Sequence, residues 1–162
     1  MIYDEEMILK DAVDLVKSKL PAEIIAINTE KNDTIVLDSI DDTRYVLEFI
    51  DQKVLNYKGA FILYGLVSSP VKEKSSQNLL EDVTLTFNVG LFDSGEKDRS
   101  INFYKLLRYR RALKKIFLDN PDVFRGYAKS YVVSLKPDAI PVSNNVVILT
   151  MGIDVTASVT AI

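Results

Sequence analysis

Carboxylates and cations are the side chains that could do chemistry in this sequence, because two other types are missing. The chain holds no histidine and no cysteine. Histidine is the commonest general base and zinc ligand, and a thiolate is the usual soft nucleophile. Ser-His-Asp and Cys-His relays, disulfides and thiolate metal sites are therefore excluded. What remains is acid–base work by carboxylate, lysine or tyrosine, or a hard cation held by oxygen ligands. Acidic groups cluster at Asp4, Glu5 and Glu6, at Asp41 and Asp42, and at Glu48 and Asp51. None has the spacing of a calcium loop, so they read as solvated charges and turn formers. Gly59, Gly65 and Gly90 do not fall in a phosphate-loop pattern. Asp154 sits on the polar side of an alternating stretch, where a cross-strand lysine is the expected partner. The pattern as a whole points to a protein that is not an enzyme and needs no cofactor.

The cations are more concentrated. "KLLRYRRALKKIF", Lys105 to Phe117, holds Lys105, Arg108, Arg110, Arg111, Lys114 and Lys115 with no acid among them. The chain itself carries a net charge of −3, too small to imply a polyanion partner for the whole molecule. On a helical wheel of about 100° per residue, Leu106, Tyr109, Leu113, Ile116 and Phe117 share one arc. That arc is the expected core face. Arg110 lies at its edge and Lys105 flanks the other edge. Arg108, Arg111, Lys114 and Lys115 spread over the opposite side, with Leu107 projecting among them. Arg110–Lys114 and Arg111–Lys115 are like-charged pairs four apart, each unfavourable by about 0.2–0.5 kcal/mol in an isolated helix. Something should compensate. One reading is a plain solvated face. The other is an interface formed by Lys105, Leu107, Arg108, Arg111, Lys114 and Lys115 against an acidic partner or a polyanion. With no nucleic-acid motif and an acidic balance, any DNA contact is expected to be non-specific proximity.

The elements that must position these residues follow from periodicity. Asp4 to Leu20 has apolar residues near helical spacing and acids at its start. Pro21 marks a break or the first turn of a second helix, Ala22 to Asp33, ended by Asn32-Asp33. The stretch 35–57 mixes periods and stays open. "GAFILYGLV", Gly59 to Val67, suggests a strand buried on both faces. Ser68 to Asp82 is polar with a proline and reads as a mobile loop. "VTLTFNVGL" alternates, with Val83, Leu85, Phe87, Val89 and Leu91 on one side and a wet face on the other. Ser94 or Asp98 could cap the basic helix, Arg99 to Asp119, which "NPD" stops. Ala128 to Lys136 is a strand, "PDAIP" a loop, and "NNVVILTMGIDVTASVTAI" a long final strand with a bulge or bend at Gly152. The expected fold is α+β: one domain over 1–162, with an N-terminal helical segment 4–33 and a core 59–162. Its sheet is mostly antiparallel, of about four strands, with helices packed on one face. "MIYDEEMILK" lacks the basic start and apolar run of a signal peptide, and no apolar stretch is long enough to span a membrane, so a cytosolic product is expected.

This order resembles the small neck and tail-completion proteins of tailed bacteriophages, most of all tail terminators. The resemblance spans most of the chain: "LPAEIIAINTEKND", "FILYGLV", "VTLTFNVGLF", and above all "LLRYRRAL" and "VTASVTAI". It implies a structural ring subunit, typically a hexamer, that caps the tail tube and joins it to the head. Its partners would be its own copies, the tail tube and head-connector proteins. Such a protein is assembled in the host cytoplasm and ends in the virion. The residues leave two other classes open, a nucleic-acid-binding accessory protein and a carboxylate- and metal-dependent enzyme.

Overall fold

Two strands of 16 residues form the middle of the molecule. The computed structural model describes residues 4–47, 59–68, 71–75, 78–93, 95, 99–143 and 146–161. Strand β4 (Asn78–Asp93) and strand β7 (Val146–Ala161) pair antiparallel from Leu79↔Ala161 to Asp93↔Val147 without a register shift. β2 (Phe61–Ser68) and β3 (Val71–Ser75) share the free side of β4. β5 (Ala128–Ser134) and β6 (Asp138–Ser143) share the free side of β7. The short β1 (Tyr45–Leu47) adds to β2 in parallel. The sheet thus has seven strands and is mostly antiparallel, where about four were expected.

The additional strands are those that hydrophobic patterning does not reveal. β3 falls inside the polar stretch 68–82 and turns it from a loop into a hairpin arm, paired from Val71↔Glu81 to Ser75↔Asn78. β6 contains "DAIP" and pairs from Asp138↔Thr150 to Ser143↔Val146. A strand bonded on one side only can carry a proline, so Pro141 does not exclude it. Neither strand needs an apolar face to satisfy its backbone, so alternation is not imposed on it.

Helix α1 (Glu5–Lys31) is one continuous helix, not two. Asp4 caps it by accepting the Met7 N–H at 3.0 Å, and Asn32 ends it in the left-handed conformation (φ 44°). Pro21 lies inside. It removes a hydrogen bond and crowds the preceding turn, but it is exposed, and Leu20 and Ile24 on either side are buried. The buried stripe Ile8, Ala12, Val16, Leu20, Ile24 and Ile27 keeps the helix continuous across the proline.

Ile35 to Ile40 is neither helix nor strand. Its backbone is met by side chains. Asn28 accepts from Leu37 N–H (2.8 Å) and donates to Leu37 C=O (3.0 Å), and the Tyr109 hydroxyl donates to Asp38 C=O at 2.7 Å. The remainder of the open stretch holds the 3-10 turn Asp42–Arg44 and β1, and its residues 48–57 lie outside the described residues.

The main core lies between the sheet and the two helices. Val83, Leu85, Phe87, Val89 and Leu91 of β4 meet Met151, Ile153, Val155 and Ala157 of β7, under α1 and α2 (Arg99–Asp119). On the opposite face Thr84 pairs with Thr156 and Thr86 with Asp154. That face is only partly wet, since Thr86 and Gly90 are buried. Phe61, Val46 and Ile148 close one end of it as a second apolar cluster. The expectation that β2 is buried on both faces holds for Phe61 and Ile62 and fails by Val67, which is exposed. Gly152 carries no bulge in its pairing with β4. A side chain there would strike the β4 backbone, 1.8 Å from the Phe87 carbonyl oxygen.

Candidate functional site

Helix α2 runs from Arg99 to Asp119 and stops before Pro121, where the pre-proline residue resists helical angles. Its core arc is Leu106, Tyr109, Leu113, Ile116 and Phe117, as the wheel indicates, with Ala112 added. The ring of Phe117 meets that of Phe87 on β4 at 5.4 Å. This packing fixes the rotation of the helix and so the direction of every cation on it.

The cations do not form one surface. Helix α1 lies antiparallel beside α2 and presents acids to one half of them. Arg108 grips both carboxylate oxygens of Asp33, one at 2.9 Å, and also the Ile35 carbonyl. Arg111 forks onto Glu30 at 3.1 and 2.6 Å. Lys115 reaches Glu23 and, within its own helix, Asp119, both at 2.9 Å. Arg125, just past α2, continues the row to Asp11 at 2.8 Å. The Arg108 and Arg111 guanidinium groups hold Asp33 and Glu30 below the usual carboxylate range through these hydrogen bonds. Hydrogen bonds from Lys115 to Glu23 and Asp119 raise the lysine in turn. The compensation that the Arg111–Lys115 pair requires is therefore inside the chain. Asp4, at the start of α1, is spent on its cap, and Glu6 pairs with Lys10.

The remaining cations are different. Lys105 and Lys114 have no ion-pair partner among the described residues, and Arg110 donates to the Leu135 carbonyl at 2.8 Å. Leu107 is half-buried against the core and lines two shallow grooves. One, of about 400 Å³, runs past Arg110, Arg111, Lys114 and Lys115 to Leu118, Asp119 and Ser134. The other, of about 360 Å³, lies beside Tyr104, Arg108, Arg111 and Lys31. Of the six expected interface residues, Arg111 and Lys115 are engaged with α1 and Arg108 with the segment just after it. Lys105, Leu107 and Lys114 are not.

The remaining candidates have local roles. Asp41 accepts from the Thr43 backbone and hydroxyl, capping a 3-10 turn at Asp42–Arg44. Asp154 takes a hydrogen bond from Thr86 at 3.1 Å, in place of the expected lysine, because a threonine is directly opposite in the β4–β7 register. Glu48, Asp51, Ser94 and Asp98 lie outside the described residues. Among the described residues no three acids converge as a metal site would require, and no helix is long and apolar enough to cross a membrane. One carboxylate went unnoticed in the sequence: Asp93 is buried, accepting from Gly95 N–H (3.1 Å) and Arg99 Nε (3.3 Å). Its only signal was its place between an apolar strand and a glycine turn. The α1 acids had a clearer one, since Glu23 and Glu30 are seven apart and share a helix face.

The far margin of the sheet is the second notable surface. β5 is bonded to β7 and to no other strand among the described residues. Lys129, Tyr131 and Val133 alternate outward from it, the last two 59% and 60% exposed. No protein-family model matches the chain, and no curated protein is significantly similar to it.

Proposed function

We propose that this chain is a structural, non-enzymatic ring subunit of a tailed-phage virion, of the tail-terminator or neck type. In this role it caps the tail tube and joins tail to head. The observation that supports it is the open β5 edge. A strand with no second strand partner among the described residues and two outward apolar side chains is an aggregation hazard unless a partner covers it. A subunit that joins its neighbour head-to-tail uses such an edge against a different surface of the next copy, and the rotation closes into a ring. The element order that resembles tail terminators adds the ring size, a hexamer, and the place of the ring, at the end of the tail in a virion assembled in the host cytoplasm.

Light scattering of the purified chain, with electron microscopy of the same sample, tests the proposal. The expected result is a closed ring, reduced to monomers by the double change Tyr131→Ser and Val133→Ser. Tails grown without the chain should vary in length and fail to join heads. A chain that stays monomeric at high concentration, or tails of normal length without it, would overturn the proposal.

A further inference from the structure

We propose that the outer stripe of α2 is a docking groove for an acidic amphipathic helix of a different protein, independent of whether the chain forms rings. The stripe is Tyr104, Leu107, Arg111, Lys114 and Leu118. Its intervals alternate three and four, which is the spacing of a helix–helix seam. From Tyr104 to Leu118 it measures about 21 Å, or about four helical turns. Core residues occupy the other side of α2; along the seam Arg111 is held at its margin by Glu30, and Lys114 is the cation that has no carboxylate partner among the described residues. The seam's ends are apolar and open: Tyr104 is 54% exposed and Leu118 61%. Leu107 forms an apolar floor shared by both grooves. Its middle is cationic, and Asp119 is the single acid among the described residues lining the larger groove.

Charge decides the occupant. Lys114 has no carboxylate partner among the described residues, and Arg110 is met only by a backbone carbonyl. A helix with glutamates in its middle turns and leucine-type residues at both ends would answer both features. A second copy fits badly. α2 against α2 sets Arg111 and Lys114 against their own like. The outward part of α1 around Ala22, Ile25 and Ala26 offers no acid to the seam. Nucleic acid fits badly too. Arg111 and Lys115 already hold carboxylates, and phosphates gain nothing from Leu107 and Leu118.

A labelled peptide of about 15 residues, leucine at the end turns and glutamate at the central seam positions, is the probe. Fluorescence anisotropy reads its binding to the full chain. Binding is expected, with amide shifts confined to α2 and its neighbours. It should weaken at least about tenfold with glutamine in place of glutamate in the peptide, and equally with Lys114→Glu or Leu118→Ser in the protein. Both protein positions are exposed, so circular dichroism should be unchanged. No binding would overturn the proposal, as would binding that survives Leu118→Ser. An oligothymidine that binds as well as the peptide would mark a general polyanion patch instead. Self-association abolished by Leu118→Ser would give the seam to a second copy.

Discussion

Gly152→Ala should be among the most damaging single changes in the molecule, although it adds one methyl group. The position is central on β7, opposite Asn88 of β4. A methyl built there lies 1.8 Å from the Phe87 carbonyl oxygen and 2.7 Å from Asn88 Cα. Ordinary contact begins near 3.5 Å, so the strands must part by roughly 1.5 Å. Adjacent strands lie about 4.8 Å apart and their hydrogen bonds tolerate a few tenths of an ångström, so about two ladder bonds are lost. Overpacking costs about 1–3 kcal/mol and each bond about 1 kcal/mol, giving about 3–5 kcal/mol in total. That is a large part of the ~5–15 kcal/mol that holds a domain together. Two other glycines are controls. Gly95 has nothing within 4 Å, and Gly95→Ala should stay within about 0.5 kcal/mol. Gly126 also has open space but a φ of +77°, so Gly126→Ala should cost about 1–2 kcal/mol from backbone strain alone. Urea unfolding of the three variants beside the parent gives the comparison. A loss below about 1 kcal/mol for Gly152→Ala, or no difference from Gly126→Ala, would refute the close approach of β4 and β7 at this point.

Leu113→Ala removes a fully buried side chain between α2 and the sheet and should cost about 2–5 kcal/mol, read by the same unfolding curves. Arg111→Glu with Lys115→Glu turns two attractions into repulsions against Glu30, Glu23 and Asp119. It should lower Tm and speed amide exchange at the C-terminal end of α1, and the charge swap Arg111→Glu with Glu30→Arg should recover part of the loss. Stability should be flat from about pH 5 to 8, because no histidine titrates there. Asp33 and Glu30 have lowered values in the fold, so their contribution is complete above the unfolded value of about 4 and is lost as pH falls through the folded one. Acid unfolding followed by circular dichroism should therefore begin below about pH 4.

Where an element buries one face and wets another, its sequence shows it. β4 alternates from Val83 to Leu91, α2 keeps its core arc, and α1 carries a cap at Asp4 and a left-handed end at Asn32. β3 and β6 were illegible because an edge strand is defined by backbone pairing, not by its side chains. Pro21 misled for a related reason: its local cost is real, but burial on both sides outweighs it. The region 34–40 shows no period because its backbone partners are the side chains of Asn28 and Tyr109, which belong to other elements. The basic run of α2 was fully visible, and its meaning was not. The acids that answer it stand some 80 residues earlier, and no spacing rule links Arg111 to Glu30 before the helices are laid side by side.

That arrangement divides α2 into three faces with separate duties. One meets the sheet. The second meets α1 and the turn after it through Arg108, Arg111 and Lys115; the Arg111–Glu30 pair is exposed and contributes little net stability, while Arg108 is largely buried. Their effect is on register. Sliding α1 by one turn, about 5.4 Å, would keep its apolar stripe inward but set each cation against the wrong residue. The third face is open and keeps Lys114 and the apolar ends of the seam; Lys105 stands apart from it, at the other edge of the core arc. Six cations that look alike in sequence therefore separate by experiment. Charge reversal at Arg108 should act on unfolding and leave the binding of a peptide to the folded chain nearly unchanged, because Arg108 is largely buried against Asp33. Reversal at Lys114 should do the opposite. Equal effects of the two changes on both measurements would mean that the basic run acts as one undivided surface, and the partition derived from α1 would be wrong.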